Sequence, residues 1–483
     1  MLHEVRKCSG SYYTPDATAA SLVSWAIRSD DDRMLDPSCG DGRFLFLHRN
    51  SAGVEQDAQA ARTATERAPW ATIHEGDFFT WAGQTVERFD AAAGNPPFIR
   101  YQRFSGHVRA AALSLCSSIG AEFSSLTSSW APFLVATASL LRPGGRMAFV
   151  VPAEIAHAPY AVPLLEYLAA HFDRVQIVAV REKIFPELSE DCWLLYADGF
   201  GGSTTKFRFT ALSSFDRMDA PPTTGLDVSL HEWRIWNYRL RPFFMLKSSR
   251  DVYRAVCEAP TTARLAEVAR VGIGYVTGAN EFFHLRPSTA SKLGIPDCVL
   301  HPSVRNGRAL DGESVTMAKV KKWLLDDEPV LLLRLKKGQK LPASVERYLN
   351  TDHAIEARET YKCRMRDPWY VVPDVTVPDA FLSYMSGEGA SLVANRATCV
   401  GTNSVHVIHL TGRMPLGTVQ QRWKDPIAQL SCEVEGHPLG GGMLKVEPRE
   451  AGRVLLADRP SSRVDDKAIL AGINEMQKWR HYA

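Results

Sequence analysis

Over the first two hundred residues, short apolar blocks alternate with helix-period stretches, and most blocks end on a glycine or proline turn signal. Met34-Leu35 runs into a glycine-rich turn, after which Phe44-Leu45-Phe46-Leu47 opens a helix. Gly53-Val54-Glu55 closes a second strand, Ala58 to Ala68 is an alanine-rich helix, and Thr72-Ile73-His74 leads into Gly76-Asp77-Phe78. Phe89 to Gly94 reads as a short buried strand. A helix over Pro132 to Leu141 is stopped by Pro143-Gly144-Gly145, and Arg146 to Val151 is a strand. Leu164 to Phe172 continues as a helix and Arg174 to Val180 as a strand, with Cys192 to Ala197 pairing back after a loop. Strand and helix in alternation predict an α/β fold, a mainly parallel sheet covered on both faces. Ligands of such sheets sit beyond the carboxyl ends of the strands.

The pattern changes further along. Phe200-Gly201-Gly202-Ser203 is a turn or the start of a connection, and Asp216 to Thr224 has the Pro, Asp and Thr content of a linker. After Met245 the segments become shorter and less regular, rich in Gly, Pro, Arg and aromatics. The expected division is a first domain over 1–215, a linker over 216–245 and an α+β domain over 246–483. Two or three domains also suit a chain of 483 residues.

With 45% apolar and 23% charged residues, the composition is that of a globular protein and excludes disordered and collagen-like classes. Apolar runs such as Met147 to Val151 are too short to span a bilayer, so no membrane partner is expected. The N-terminal residues lack the apolar segment of a secretory signal. Nine cysteines without a Cys-x-x-Cys pair argue for reduced thiols and a cytoplasmic location, and against a zinc ribbon. Residues 1–200 hold 17 Lys and Arg against 23 Asp and Glu, whereas residues 201–483 hold 39 against 31. A basic second part beside an acidic first part points to a polyanion as its partner.

The most informative residues are Asn95-Pro96-Pro97-Phe98, at the end of the Phe89–Gly94 strand. An amide, two rigid prolines and an aromatic make a poor core and a poor helix start. They suit a planar group with an exocyclic amine: the Asn95 side-chain oxygen and the Pro96 carbonyl are acceptors, and Phe98 is a stacking face. Proline restricts its own φ and keeps the preceding residue extended, so the acceptors are aimed. At the first strand end, Asp36-Pro37-Ser38-Cys39-Gly40-Asp41-Gly42 carries two glycines that allow a ligand close to the backbone. Its spacing is neither a P-loop nor Gly-x-Gly-x-x-Gly. Glu55 is placed to accept ribose hydroxyls, and Asp77 with Phe78 to receive an adenine amine and cover its ring.

Together with Tyr12-Tyr13-Thr14-Pro15, Phe44-Leu45 and Leu141 to Arg146, these motifs resemble the gamma-class DNA adenine-N6 methyltransferases of restriction-modification systems. The similarity covers roughly the first 200 residues. It implies a Rossmann-like domain that binds S-adenosylmethionine through Tyr13, Thr14, Asp36, Pro37, Ser38, Gly40, Glu55, Gln56, Asp77, Phe78, Asn95 and Phe133. Catalysis would fall to Asn95, Pro96, Pro97 and Phe98. Phe185, in Phe185-Pro186 ahead of Ser189, would be the second base-stacking ring. No metal is implied. The resemblance also implies duplex DNA as substrate and a restriction-modification setting, in which a separate cognate restriction endonuclease would be a partner; the chain is expected to be a monomer. One segment departs from the family: Thr127-Ser128-Ser129-Trp130-Ala131-Pro132-Phe133 stands where many relatives carry an acidic residue and a tyrosine.

Val271 to Phe283 resembles the start of a target-recognition domain. Arg364, Arg366, Trp369 and Tyr370 form a basic-aromatic cluster, and Asn395-Arg396 with Thr402-Asn403-Ser404 a polar one; both suit nucleic acid or a solvated loop. His406 and His409, three apart on a strand, face opposite sides. The alternative function is methylation of an RNA adenine or a protein glutamine amide, which the same clamp also suits.

Overall fold

The computed structural model describes residues 14–188, 190–459 and 463–481. The chain divides into two compact units, one ending at Phe244 and the other starting at Met245.

The first unit is built on a nine-stranded sheet of β1 (Met34–Asp36), β2 (Ser51–Glu55), β3 (Thr72–Glu75), β4 (Phe89–Gly94), β5 (Leu141–Pro152), β6 (Phe172–Val180), β7 (Cys192–Phe200), β8 (Lys206–Leu212) and β9 (Leu226–Ser229). Their order is β3-β2-β1-β4-β5-β7-β6-β8-β9. Strands β1 to β5 pair parallel, β7 runs antiparallel between β5 and β6, β6 pairs parallel with β8, and β9 pairs antiparallel with β8. The sheet is therefore mixed and mostly parallel. Chain order reverses on either side of β1, which makes the carboxyl ends of β1 and β4 the topological switch point.

Small residues set this geometry. Ala91, Ala93 and the short side chains of α1 (Asp16–Ala26) let helix and sheet approach in one cluster with Met34, Ala148 and Val150. Gly94 ends β4 because a Cβ there would stand 2.7 Å from Asp36 Oδ1. Gly42 adopts φ +79°, and a Cβ on it would meet Ala64 of α2 (Ala58–Arg67) at 2.8 Å.

Three local expectations change. Phe44 to Leu47 yields only a 3-10 turn at Leu45–Leu47, since His48 is already extended and β2 begins at Ser51. The helix expected over Pro132 to Leu141 spans Trp130–Ala138, and Pro143-Gly144-Gly145 lies inside β5 at a register shift against β4. The linker composition at 216–224 is followed directly by β9 and the helix Leu230–Ile235, which belong to the first unit.

The second unit is α+β. A five-stranded sheet orders Ala269–Ile273, Val405–Leu410, Ala380–Ser383, Leu392–Asn395 and Ser314–Val315. A four-stranded sheet orders His284–Leu285, Leu331–Leu333, Leu300–Val304 and Val400–Gly401, and smaller sheets and helices complete the unit. Among the described residues no helix is long and apolar enough to cross a membrane.

Candidate functional site

The carboxyl ends of β1, β2, β3 and β4 open onto one cavity, the place where ligands of such sheets sit. Pro37, Ser38 and Gly40 line it from the turn after β1, Glu55 and Gln56 from the end of β2, and Asp77 with Phe78 from beyond β3. Asn95 and Pro97 reach it from β4, and Phe133 from α5 (Trp130–Ala138). Ten expected site residues thus meet in one place.

The Glu55 carboxylate is held by two backbone donors, Gly40 N–H at 2.9 Å on Oε2 and Asp57 N–H at 2.8 Å on Oε1. Each oxygen keeps a further lone pair for a hydroxyl. Asp77 caps α3 (Phe78–Ala82), its Oδ1 accepting from Thr80 N–H at 2.9 Å and from the Thr80 hydroxyl at 2.7 Å. Its other oxygen is uncommitted by this cap. The cavity floor is aromatic: Phe78 stacks on Phe133 with ring centroids 5.0 Å apart, and Phe79 meets Phe133 edge-on at 4.6 Å.

Asp36 lies just beneath this surface rather than on it, 1% exposed. Its Oδ1 accepts from Ser38 N–H at 3.1 Å and so shapes the glycine turn. Burial pushes its carboxyl up to about 8, the nearby Glu55 and Asp41 carboxylates push in the same direction, and the Ser38 N–H opposes them. A cation placed beside it would favour its ionised form.

Thr14 is buried, and its carbonyl accepts from Arg43 Nη1 at 2.6 Å. The same guanidinium pairs with Asp16 and Asp41, which ties the start of α1 to the glycine turn. Thr14 does not line the cavity, and Tyr13 lies outside the described residues. Pro96 is buried, Phe98 packs against the apolar cluster that contains Phe185, and none of these three expected site residues lines the cavity.

Four further residues line the cavity: Ile99, Phe104 and Val108, not singled out from the sequence, and Ser129, marked there only within the segment that departs from the family. Phe104 stands just before α4 (Gly106–Ser118) and Val108 in its first turn, with the extended Ser105 between them, so no helical periodicity marks the pair in the sequence. Ser129 immediately precedes α5. Its hydroxyl donates to the Pro97 carbonyl and accepts from Ile99 N–H at 3.0 Å, and its own N–H donates to the Ile99 carbonyl at 2.9 Å. The Ser38 hydroxyl donates to the Asn95 carbonyl at 3.3 Å.

In the second unit, several residues of the basic-aromatic and polar clusters are structural. Arg366 donates to the carbonyls of Thr277 and Val276, each at 2.6 Å. Trp369 packs on Phe282 and Phe283. Asn395 bonds to the carbonyls of Pro378 and Cys399 and to Cys399 N–H. His406 is buried against the Val446 carbonyl, whereas His409 bonds to Thr376. A separate polar cavity is lined by Asn280, Arg305, Arg308, Thr402 and Ser404, among others. Arg305 is held at its wall by the Pro329 carbonyl and the Thr402 hydroxyl. The exposed Arg308 guanidinium makes no hydrogen bond or ion pair among the described residues.

The family model for the C-terminal domain of type II methyltransferase M.Eco57I matches residues 239–482. Type II methyltransferase M.AccI of Acinetobacter calcoaceticus is 18% identical over 482 residues, covering 94% of this chain and 86% of that protein. Type II methyltransferase M.TthHB8I of Thermus thermophilus is 30% identical over 154 residues, 30% of this chain and 35% of that protein. Among solved structures, the type IIL restriction-modification enzyme MmeI in complex with DNA superposes with a TM-score of 0.56 at 11% identity. That likeness covers 96% of this chain and 71% of MmeI.

Proposed function

The chain belongs to the type II methyltransferase family of M.Eco57I, and from that premise we propose that it methylates the N6 amine of an adenine swung out of duplex DNA. The donor is S-adenosylmethionine, and the enzyme serves as the modification partner of a separate restriction endonuclease. The observation that carries this reading is the convergence of Ser38, Glu55, Asp77 and Asn95, from four parallel strand ends, on one cavity.

The donor set fits that cofactor. Glu55 offers acceptors for ribose hydroxyls, Asp77 an acceptor for an adenine amine, and Phe78 with Phe133 an apolar surface for the ring. Buried Asp36 is suited to a nearby cation. When bound, S-adenosylmethionine supplies a methyl group activated by its sulfonium.

The protein's own residues then do two things. They hold the base: Phe98 and Phe185 are assigned to stack on its two faces, and stacking on such rings is worth about 1–3 kcal/mol per base, which offsets the cost of unstacking. They also prepare the nitrogen. Adenine's exocyclic lone pair is delocalised into the ring, and hydrogen bonds from its two N–H groups to Asn95 Oδ1 and the Pro96 carbonyl draw the nitrogen towards a tetrahedral shape. Catalysis is then placement and polarisation. Residues 1–215 perform this chemistry, and residues 246–483 recognise the DNA target.

The test is long-read methylation mapping of DNA from cells that express the protein, beside assays of purified protein with labelled donor. N6-methyladenine at a fixed sequence supports the reading. Label that enters RNA or a glutamine side chain but never duplex adenine overturns it.

A further inference from the structure

We infer that Ser129 is a positioning residue that aims the Pro96 carbonyl, an inference that rests on the adenine-methylating reading above. The sequence Asn95-Pro96-Pro97 is poor in backbone donors, because neither proline has an N–H. The segment has also left the strand ladder, which ends at Gly94, so its three carbonyls need donors from other parts of the chain. Two have them: the Ser38 hydroxyl reaches the Asn95 carbonyl at 3.3 Å, and the Ser129 hydroxyl reaches the Pro97 carbonyl. The carbonyl between them, on Pro96, receives no hydrogen bond among the described residues. Anchoring its two neighbours leaves the middle acceptor without a partner and limits how far it can turn.

Ser129 is unusual for its place. A serine just before a helix ordinarily caps it, yet this hydroxyl makes no capping bond to α5. It is wholly buried and serves residues 97–99 instead, donating to the Pro97 carbonyl and accepting from Ile99 N–H at 3.0 Å. The Ser129 N–H adds a bond to the Ile99 carbonyl at 2.9 Å. This last contact is main chain to main chain and is kept when alanine, threonine or cysteine replaces the side chain. The side chain alone holds Pro97, one peptide unit beyond the acceptor.

The test compares Ser129→Ala and Ser129→Thr with the unmodified protein, with activity expressed per donor-binding site counted by calorimetric titration. Misplacement of a reacting group by about 1 Å can cost on the order of 100-fold in rate. Ser129→Ala is expected to lower kcat roughly 10- to 100-fold, with donor affinity and the KM for DNA nearly unchanged. Ser129→Thr, which keeps a hydroxyl, is expected to recover most of that loss. If Ser129→Ala gives no folded protein, Ser129→Cys, a weaker donor, is read in the same way. A kcat per site close to that of the unmodified protein, or a loss confined to thermal stability, overturns the inference. Unmodified protein that never marks adenine would instead sink the reading on which it rests.

Discussion

The carboxylate of Glu55 accepts the Gly40 N–H at 2.9 Å, so the last residue of β2 closes the glycine turn that follows β1. One side chain thereby shapes the turn and faces the cavity. Removing it should affect donor binding twice, by loosening Gly40 and by deleting the acceptor for the ribose. Glu55→Ala is expected to weaken S-adenosylmethionine binding by roughly tenfold or more, given the strength of hydrogen bonds to charged groups. Glu55→Gln, which keeps one acceptor oxygen, should fall between. Unchanged affinity of the alanine variant in calorimetry would remove the ribose role.

Asn95 is anchored through its main chain, by the Ser38 hydroxyl at its carbonyl, so substituting its side chain leaves that anchor in place. Asn95→Ala should therefore bind donor almost normally. Methyl transfer should fall by at least about 100-fold, the scale for losing one aimed polar partner of a transition state. Single-turnover assays with labelled donor separate the two effects. A variant that transfers methyl at the normal rate would show that the amide does not engage the amine.

What could be read from the chain and what could not follow the range of the interactions. The four strand ends were legible because each is a local pattern, an apolar run stopped by glycine or proline, and Asn95-Pro96-Pro97-Phe98 is chemically odd where it stands. The segment holding Ser129 stood out as a departure from the family, but the role of Ser129 did not, because its partner, Pro97, lies 32 residues earlier and no local pattern encodes that contact. Arg366 and Trp369 looked like surface groups because composition cannot separate a guanidinium facing phosphate from one that staples two carbonyls. Phe44 to Leu47 had the apolar content of a helix start, but β2 begins too soon after it for a helix to propagate.

Asp36 makes stability depend on pH. Its folded-state carboxyl sits near 8, well above its ordinary value of 3.8, chiefly because it is buried. The folded state therefore holds a proton that the unfolded state has already released. Stability from this group is fully present below about pH 4 and is lost as pH rises towards 8, by up to about 1.4 kcal/mol per pH unit between those limits. Asp36→Asn keeps an acceptor for the Ser38 N–H and removes the titration. Its melting temperature should exceed that of the unmodified protein at pH 8, with the gap closing towards pH 4. Parallel curves across that range in differential scanning calorimetry would contradict the assignment.

Two arginines of the second unit should fail in opposite ways. Arg308 lies on the polar cavity with no partner for its guanidinium among the described residues, so its removal leaves no internal bond broken. If it meets the DNA backbone, Arg308→Ala should leave the melting temperature unchanged while weakening duplex binding. The slope of log affinity against log salt should then become shallower by about 0.9, the value for one phosphate contact. Arg366 instead spans the carbonyls of Val276 and Thr277, at 2.6 Å each. Arg366→Ala strips donors from both and should cost roughly 2–4 kcal/mol of stability, without altering the salt slope of whatever folded protein remains. Thermal melts and salt titrations by fluorescence anisotropy on both variants decide the matter. A stable Arg366→Ala with a shallower slope would make that residue the phosphate contact, and an Arg308→Ala that binds DNA normally would remove the polar cavity from the interface.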